Sequence, residues 1–270
     1  MNTWREDDGL AERMLINARL VLPDDVIEGS LILKDGRIDA IEAGSQPSAD
    51  AVDCHGDYVI PGLIDLHTDN LEKHHQPRKG VFWDPVAAAI NHDAQIIAAG
   101  VTTVFDSLTL GAAEGWDSRS ELVPSMIDGL NTAHDQGLLR ADHRLHLRCE
   151  VTHPDITAIV DRHINHPLVQ MMSLMDHAPG DRQSRDIERY RRSYLPAFDH
   201  DEVALDRHIK YLMTKSRTLA PGNRRSLAAV ATTKAFALAS HDDASMAQIC
   251  LLYTSPSPRD QRGSRMPSSA

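Results

Sequence analysis

His67, Thr68 and Asp69 directly follow the apolar run YVIPGLIDL. In an extended segment alternate side chains share a face, so His67 and Asp69 point the same way and can reach one cation. An imidazole nitrogen beside a carboxylate oxygen suits Zn²⁺, Mn²⁺ or a similar divalent ion. Taken alone, the trio reads equally well as the polar start of a loop. Four more strand-like runs, three apolar and one alternating, end in residues of the same chemical kind. VTTVF ends at Asp106, HRLHLRC at Glu150, VQMMSLM at Asp176-His177, and AFALAS at His241-Asp242-Asp243. A carboxylate at Glu150 suits a bridge between two metals, and His177 and His241 each have a neighbouring Asp to partner the imidazole. A single such ending carries little weight; five in succession make a pattern.

The remaining polar candidates carry more than one reading. Asp106 fits a supporting role behind the ligands or a helix cap. Asp242 is the candidate catalytic group beside Glu150; it or Asp243 would orient His241 or hold the reacting water, and an N-cap is equally open. Cys149 reads as a small buried core residue. The basic residues near these strand ends are Lys73, His74, His75, Arg78, Lys79, Arg148 and Arg182. Arg148 shares a strand face with Glu150, and the guanidinium fork matches phosphate oxygens, so Arg148 and Arg182 are the candidate phosphate-binding groups. The sequence holds no G-x-x-x-x-G-K-[ST], no G-x-G-x-x-G and no G-x-S-x-G. Phosphate-loop, dinucleotide and serine-hydrolase chemistry therefore lack their usual support.

The elements that must position these residues alternate between strand and helix. After residues 1–13, a polar stretch read as a disordered extension, residues 14–57 give short apolar runs with an Asp35-Gly36 turn, a hairpin signal in a small β unit. From residue 58 the texture becomes strand, helix, strand. Asp84-Pro85 starts a helix as N-cap and first residue, and Gly100 stops it. A second helix is expected over 118–137, a short one over 154–163, and two more near 201–219 and 223–233, with strands at 58–66, 101–105, 144–150, 169–175 and 235–240. Such alternation calls for a parallel sheet with crossover helices, whose ligands bind at the carboxyl ends of the strands. The expected fold is α/β, a (β/α)8 barrel incomplete over 58–249, with an N-terminal β-sandwich subdomain. Residues 250–270 (CLLYTSPSPRDQRGSRMPSSA) leave the pattern and read as a non-native or disordered tail. A barrel of this kind needs about eight strands, so the natural protein is expected to continue past residue 249.

Composition narrows the class. The chain has 270 residues, 41% of them hydrophobic, which supports a substantial core. A net charge of −11 argues against a general nucleic-acid binder. Cys54, Cys149 and Cys250 form no C-x-x-C, which argues against a disulfide framework and fits a reducing, cytoplasmic compartment. No apolar run has the length of a membrane span, and the polar N-terminus does not read as a signal peptide.

The order of a β unit, then PGLIDLHTDN, then strands ending in metal-type ligands resembles the amidohydrolase superfamily. PGLIDLHTDNLEKH, HDAQIIAAGVTTVFDS, ADHRLHLRCE, SLMDHAPGDRQ and ALASHDDAS are similar, over residues 14–248, to its diphosphatase branch in the bacterial carbon–phosphorus lyase pathway. That branch has H-x-D after the first barrel strand, where most of the superfamily has H-x-H. The resemblance implies a binuclear divalent site, of zinc or manganese, with His67 and Asp69 as first-strand ligands, Glu150 as the bridging carboxylate, and His177 and His241 as the other imidazoles. It also implies a late-barrel Asp that this sequence does not contain, and a phosphorylated small molecule as substrate: pyrophosphate would leave a ribose 1-phosphonate 5-triphosphate. A homo-oligomer is compatible with it. The alternatives are hydrolysis of a cyclic amide or a deamination on the same fold, and a non-catalytic fragment or partner subunit.

Overall fold

The computed structural model describes residues 13–44, 50–78, 80–111, 118–180 and 186–240. The chain divides into two compact units, Met1–Leu63 and Ile64–Ala270. The expected extension, apart from Arg13, and the expected tail over 250–270 lie outside the described residues.

The first unit is a mixed sheet of β1 (Arg13–Val21), β2 (Val26–Lys34), β3 (Arg37–Ala43), β4 (Val52–Asp53) and β5 (Tyr58–Val59). β1 is central: β2 runs antiparallel on one side, and β4 and β5 run parallel on the other. The Asp35-Gly36 turn forms as expected, with φ of 51° and 71°, and sets Lys34 opposite Arg37. Positive φ at both central residues is what a two-residue hairpin requires. Gly29 is dictated by the same pairing, because a Cβ there would sit 2.1 Å from the Glu42 carbonyl oxygen. Ala18, Leu20 and Leu31 form this unit's core. Among the described residues its strands make one sheet, with no second layer.

The run at 58–66 is two strands, not one. Pro61 has no N–H to give a ladder, and the chain breaks there between β5 and β6 (Leu63–Thr68). The second unit continues with α1 (Asn70–His75), α2 (Pro85–Ala98), β7 (Val101–Leu110), α3 (Ser118–Glu121), α4 (Val123–Asp135), β8 (Asp142–Glu150) and α5 (Ile156–His163). It then adds β9 (Val169–Met175), α6 (Ile187–Tyr194), α7 (Glu202–Thr218), α8 (Ala220–Lys234) and β10 (Ala237–Ser240). The strands lie side by side in chain order from β6 to β10, and the pairs β7–β8, β8–β9 and β9–β10 are parallel. That is part of a (β/α) barrel: five strands of the roughly eight that close one.

Local chemistry fixes the helices. The Asp84 carboxylate accepts the Ala87 N–H at 2.9 Å, Pro85 opens α2, and Gly100 beyond its end has φ 81°. The expected helix at 118–137 is divided at Leu122 into α3 and α4, with Pro124 in the first turn of α4. Gly129 of α4 lies against Pro85, where a Cβ would come within 2.5 Å of the ring carbon. The two helices therefore pack closely.

β8 alternates as expected, but both of its faces are buried. Leu145, Leu147 and Cys149 join Leu108, Leu110, Met172 and Leu174 beneath Met126, Leu130, Ile156, Val160 and Leu227 from the helices. Full burial contributes about 1.5–3 kcal/mol for each large side chain, so this layer is the main source of the unit's stability. The opposite face is polar.

Candidate metal centre

Residues paired in a parallel ladder share a face. The register sets Ser107 beside His146, Thr109 beside Arg148, and Arg148 beside Ser173, with Glu150 at the end of β8 beside Met175. Ser107, Thr109, His146, Arg148, Glu150 and Ser173 thus line one face, and all are buried. Among the described residues Thr109 Oγ1, Ser173 Oγ and Arg148 Nε are sealed from solvent with no hydrogen-bond partner. Burying an unpartnered polar atom costs about 1–3 kcal/mol by mutational measures. Several on one face mark a surface shaped for something other than apolar packing.

The candidate ligands stand at the carboxyl rim of this face. Glu150 ends β8. Its Oε2 lies 2.6 Å from His177 Nδ1, and its Oε1 accepts the Thr152 hydroxyl at 2.6 Å. His177 lies two residues past the end of β9, in a turn held by Asp176. The Asp176 carboxylate accepts the Ala178 N–H at 3.1 Å and the Ser216 hydroxyl, from α7, at 2.7 Å. His67, near the end of β6, packs edge-on against His146 with ring centroids 5.3 Å apart. His146 Nδ1 lies 3.1 Å from the Leu66 carbonyl oxygen, so that nitrogen carries the proton. Burial and the positive charge of Arg148 outweigh Asp69 and Asp65 and lower the His67 pKa, which favours the neutral, ligating imidazole.

One placement differs from the sequence reading, and a second adds a partner to it. Asp69 is not in extended backbone: the strand ends at Thr68, and Asp69 is the N-cap residue of α1, with φ −92° and ψ 10°. Alternation along a strand therefore does not apply to the His67/Asp69 pair. Arg148, read as a phosphate group, donates from Nη1 to Asp69 Oδ1 at 2.6 Å. It is an internal counter-ion to a candidate ligand. Arg148 meets Asp69 and Glu150 meets His177, and these residues, with His67, stand at, near or just past the carboxyl ends of β6, β8 and β9. His241, Asp242, Asp243, Arg182 and Lys79 lie outside the described residues.

Asp106 faces away from that rim, towards the helices. Its Oδ2 lies 2.7 Å from His143 Nδ1 and its Oδ1 2.8 Å from His92 Nε2. His143 Nε2 is 3.4 Å from Asp93, whose Oδ1 also accepts the backbone N–H groups of Arg140 and Ala141 at 2.9 Å each. By proximity alone His92, Asp106 and His143 could hold a metal ion, since their ligand atoms all lie within 4.8 Å of one another. The two Asp106 spacings are those of N–H···O hydrogen bonds, while the 3.4 Å approach of His143 Nε2 to Asp93 is an ion-pair distance. Burial by itself would depress that imidazole; Asp106 and Asp93 reverse the effect and raise its pKa to about 9. The cluster is a proton-held tie between α2 and the sheet. One sequence signal marks it: His92 lies four residues from both Ala88 and Ile96, on the buried stripe of α2.

No protein-family model matches the sequence. Over 233 residues, 86% of the chain, it is 36% identical to the alpha-D-ribose 1-methylphosphonate 5-triphosphate diphosphatase of Escherichia coli (strain K12). The chain spans 62% of that relative's length. Over 89 residues it is 32% identical to the L-hydantoinase of Paenarthrobacter aurescens, covering 19% of that protein. In fold it is similar to the 5-methylcytosine deaminase of Klebsiella pneumoniae, with a TM-score of 0.55 at 15% identity over 88% of this chain and 54% of that one.

Proposed function

We infer that this chain belongs to the amidohydrolase superfamily and carries the metal-binding rim of a diphosphatase that releases pyrophosphate from a ribose 1-phosphonate 5-triphosphate. The observation that supports the reading is a buried polar strand face with the Glu150–His177 contact at its carboxyl end and Arg148, two residues before Glu150 on the same strand, paired with Asp69. The diphosphatase relative, similar over most of this chain, supports the choice of substrate.

The donor set suits divalent ions of the zinc or manganese kind, and Glu150 would be one of the residues holding them. His67, Asp69, His177 and His241 would complete the set. When bound, such ions supply Lewis-acid neutralisation of phosphate oxygens and a more acidic water. The residues do the rest. The 2.6 Å contact between Glu150 and His177 fixes the two side chains relative to each other. Arg148 keeps a positive charge at the base of the rim, where it offsets both Asp69 and an arriving polyphosphate. Asp242 and Arg182 remain the candidates for proton handling and for a second phosphate contact.

Glu150→Gln tests the assignment. It should abolish pyrophosphate release and lower the metal content; near-normal turnover with a normal metal content would contradict it. The similarity to an L-hydantoinase keeps a second reading, attack on a cyclic amide or a deamination, at the same rim. Measuring pyrophosphate against ammonia release across the two substrate classes separates them.

A further inference from the structure

We propose that Thr152 is the positioning residue for the Glu150 carboxylate, fixing its plane so that Oε2 is presented to the rim. The inference deepens the reading of Glu150 as a metal ligand and rests on it. Three observations carry it.

First, Thr152 gives Glu150 Oε1 two donors. Its hydroxyl lies at 2.6 Å and its backbone N–H at 3.3 Å, and both residues are buried. A carboxylate held at one oxygen by a hydroxyl and an amide loses rotation about its terminal torsion. Its second oxygen is then aimed at His177, 2.6 Å away. Ligating carboxylates depend on such outer hydrogen bonds for orientation.

Second, the turn that carries Thr152 is itself fixed. The Val151 N–H donates to the Met175 carbonyl at 2.9 Å, tying the turn to β9, and the His153 N–H donates to the Glu150 carbonyl at 3.1 Å. The Asn223 amide of α8 donates to the Val151 and His153 carbonyls at 2.8 and 3.0 Å, one on each side of Thr152. Thr152 therefore does not follow Glu150; the frame holds Thr152, and Thr152 holds the carboxylate.

Third, threonine suits the position. Its branched Cβ restricts the first side-chain torsion, which a serine leaves freer. Valine keeps the branching and volume and removes only the hydroxyl, so it isolates the hydrogen bond.

The test titrates the purified 270-residue chain with Zn²⁺ against a chromophoric chelator, comparing wild type, Thr152→Val, Thr152→Ser and Glu150→Gln. Thr152→Val should weaken Zn²⁺ binding about 10–100-fold, the range typical of lost outer partners, with Thr152→Ser close to wild type. Wild-type affinity in Thr152→Val, alongside weakened binding in Glu150→Gln, overturns the role of Thr152 and leaves the ligand assignment intact. Unchanged binding in Glu150→Gln overturns the ligand assignment itself. A crystal structure of the Zn²⁺-loaded wild type gives a second arm that does not depend on how the variants fold. The Thr152 hydroxyl should stay within about 3 Å of Glu150 Oε1, and a hydroxyl turned away from it overturns the proposal.

Discussion

The buried tie between α2 and the sheet makes stability depend on pH in a definite direction. His143 titrates near 9 in the fold and near 6.5 when unfolded. A pKa raised by folding contributes stability that is fully present below the unfolded value and is lost as pH rises through the folded one. The contribution is roughly 3 kcal/mol below about pH 6.5, and it disappears between there and about pH 9–10. Asp106 does not offset this, because its partners His143 and His92 overcome its own burial and lower its pKa, so it stays charged across the window. The perturbation is His143→Gln, which cannot titrate and leaves two carboxylates without their counter-charge. Breaking a buried pair costs about 3–5 kcal/mol, so the variant should be that much less stable near pH 6. Urea unfolding followed by circular dichroism reads the difference. For a urea slope of about 1–3 kcal/mol/M, the gap between wild type and variant should narrow by about 1–3 M between pH 6 and pH 10. A gap that stays constant over that range refutes the protonated tie.

Three further outcomes follow from the packing and the rim. Gly129→Ala should destabilise the chain by about 1–3 kcal/mol, since its Cβ would meet Pro85 at 2.5 Å and one helix must shift; thermal unfolding checks it. Leu147→Ala, in the fully buried helix-side layer, should cost about 2–5 kcal/mol while leaving Zn²⁺ stoichiometry unchanged, because its side chain faces away from the rim. Zn²⁺ at about a hundred times its dissociation constant should raise stability by about 2.7 kcal/mol and chelation should reverse it, whereas a melting curve indifferent to both argues against a resident ion.

The parallel sheet and its helices were legible because their cues are local. The Asp35-Gly36 turn, the Asp84-Pro85 cap and the Gly100 stop each specify backbone through their own chemistry, and the structure has all three. The positions of Glu150 and His177 followed the same logic, as Glu150 ends an alternating strand and His177 sits just past an apolar one. What sequence could not supply was partnership at long range. Arg148 and Asp69 are 79 residues apart, and nothing local shows that the arginine meets that carboxylate. Asp106 is tied to His143, 37 residues away, through strand pairing that only the fold creates. The end of the first barrel strand also misled: alternation assumed extended backbone as far as Asp69, while α1 begins one residue later and turns that side chain. Thr152 carried no signal at all, being a threonine in a turn whose importance lies in one hydroxyl aimed at Glu150.

Among the described residues both the rim and the buried trio bring imidazole and carboxylate together, and the rim is the one assigned to metal. Anomalous diffraction at the zinc edge, from crystals of the Zn²⁺-loaded chain, distinguishes them directly. The expected result is density beside Glu150, His177, His67 and Asp69 and none between His92, Asp106 and His143. Density at the buried trio with an empty rim would contradict the account.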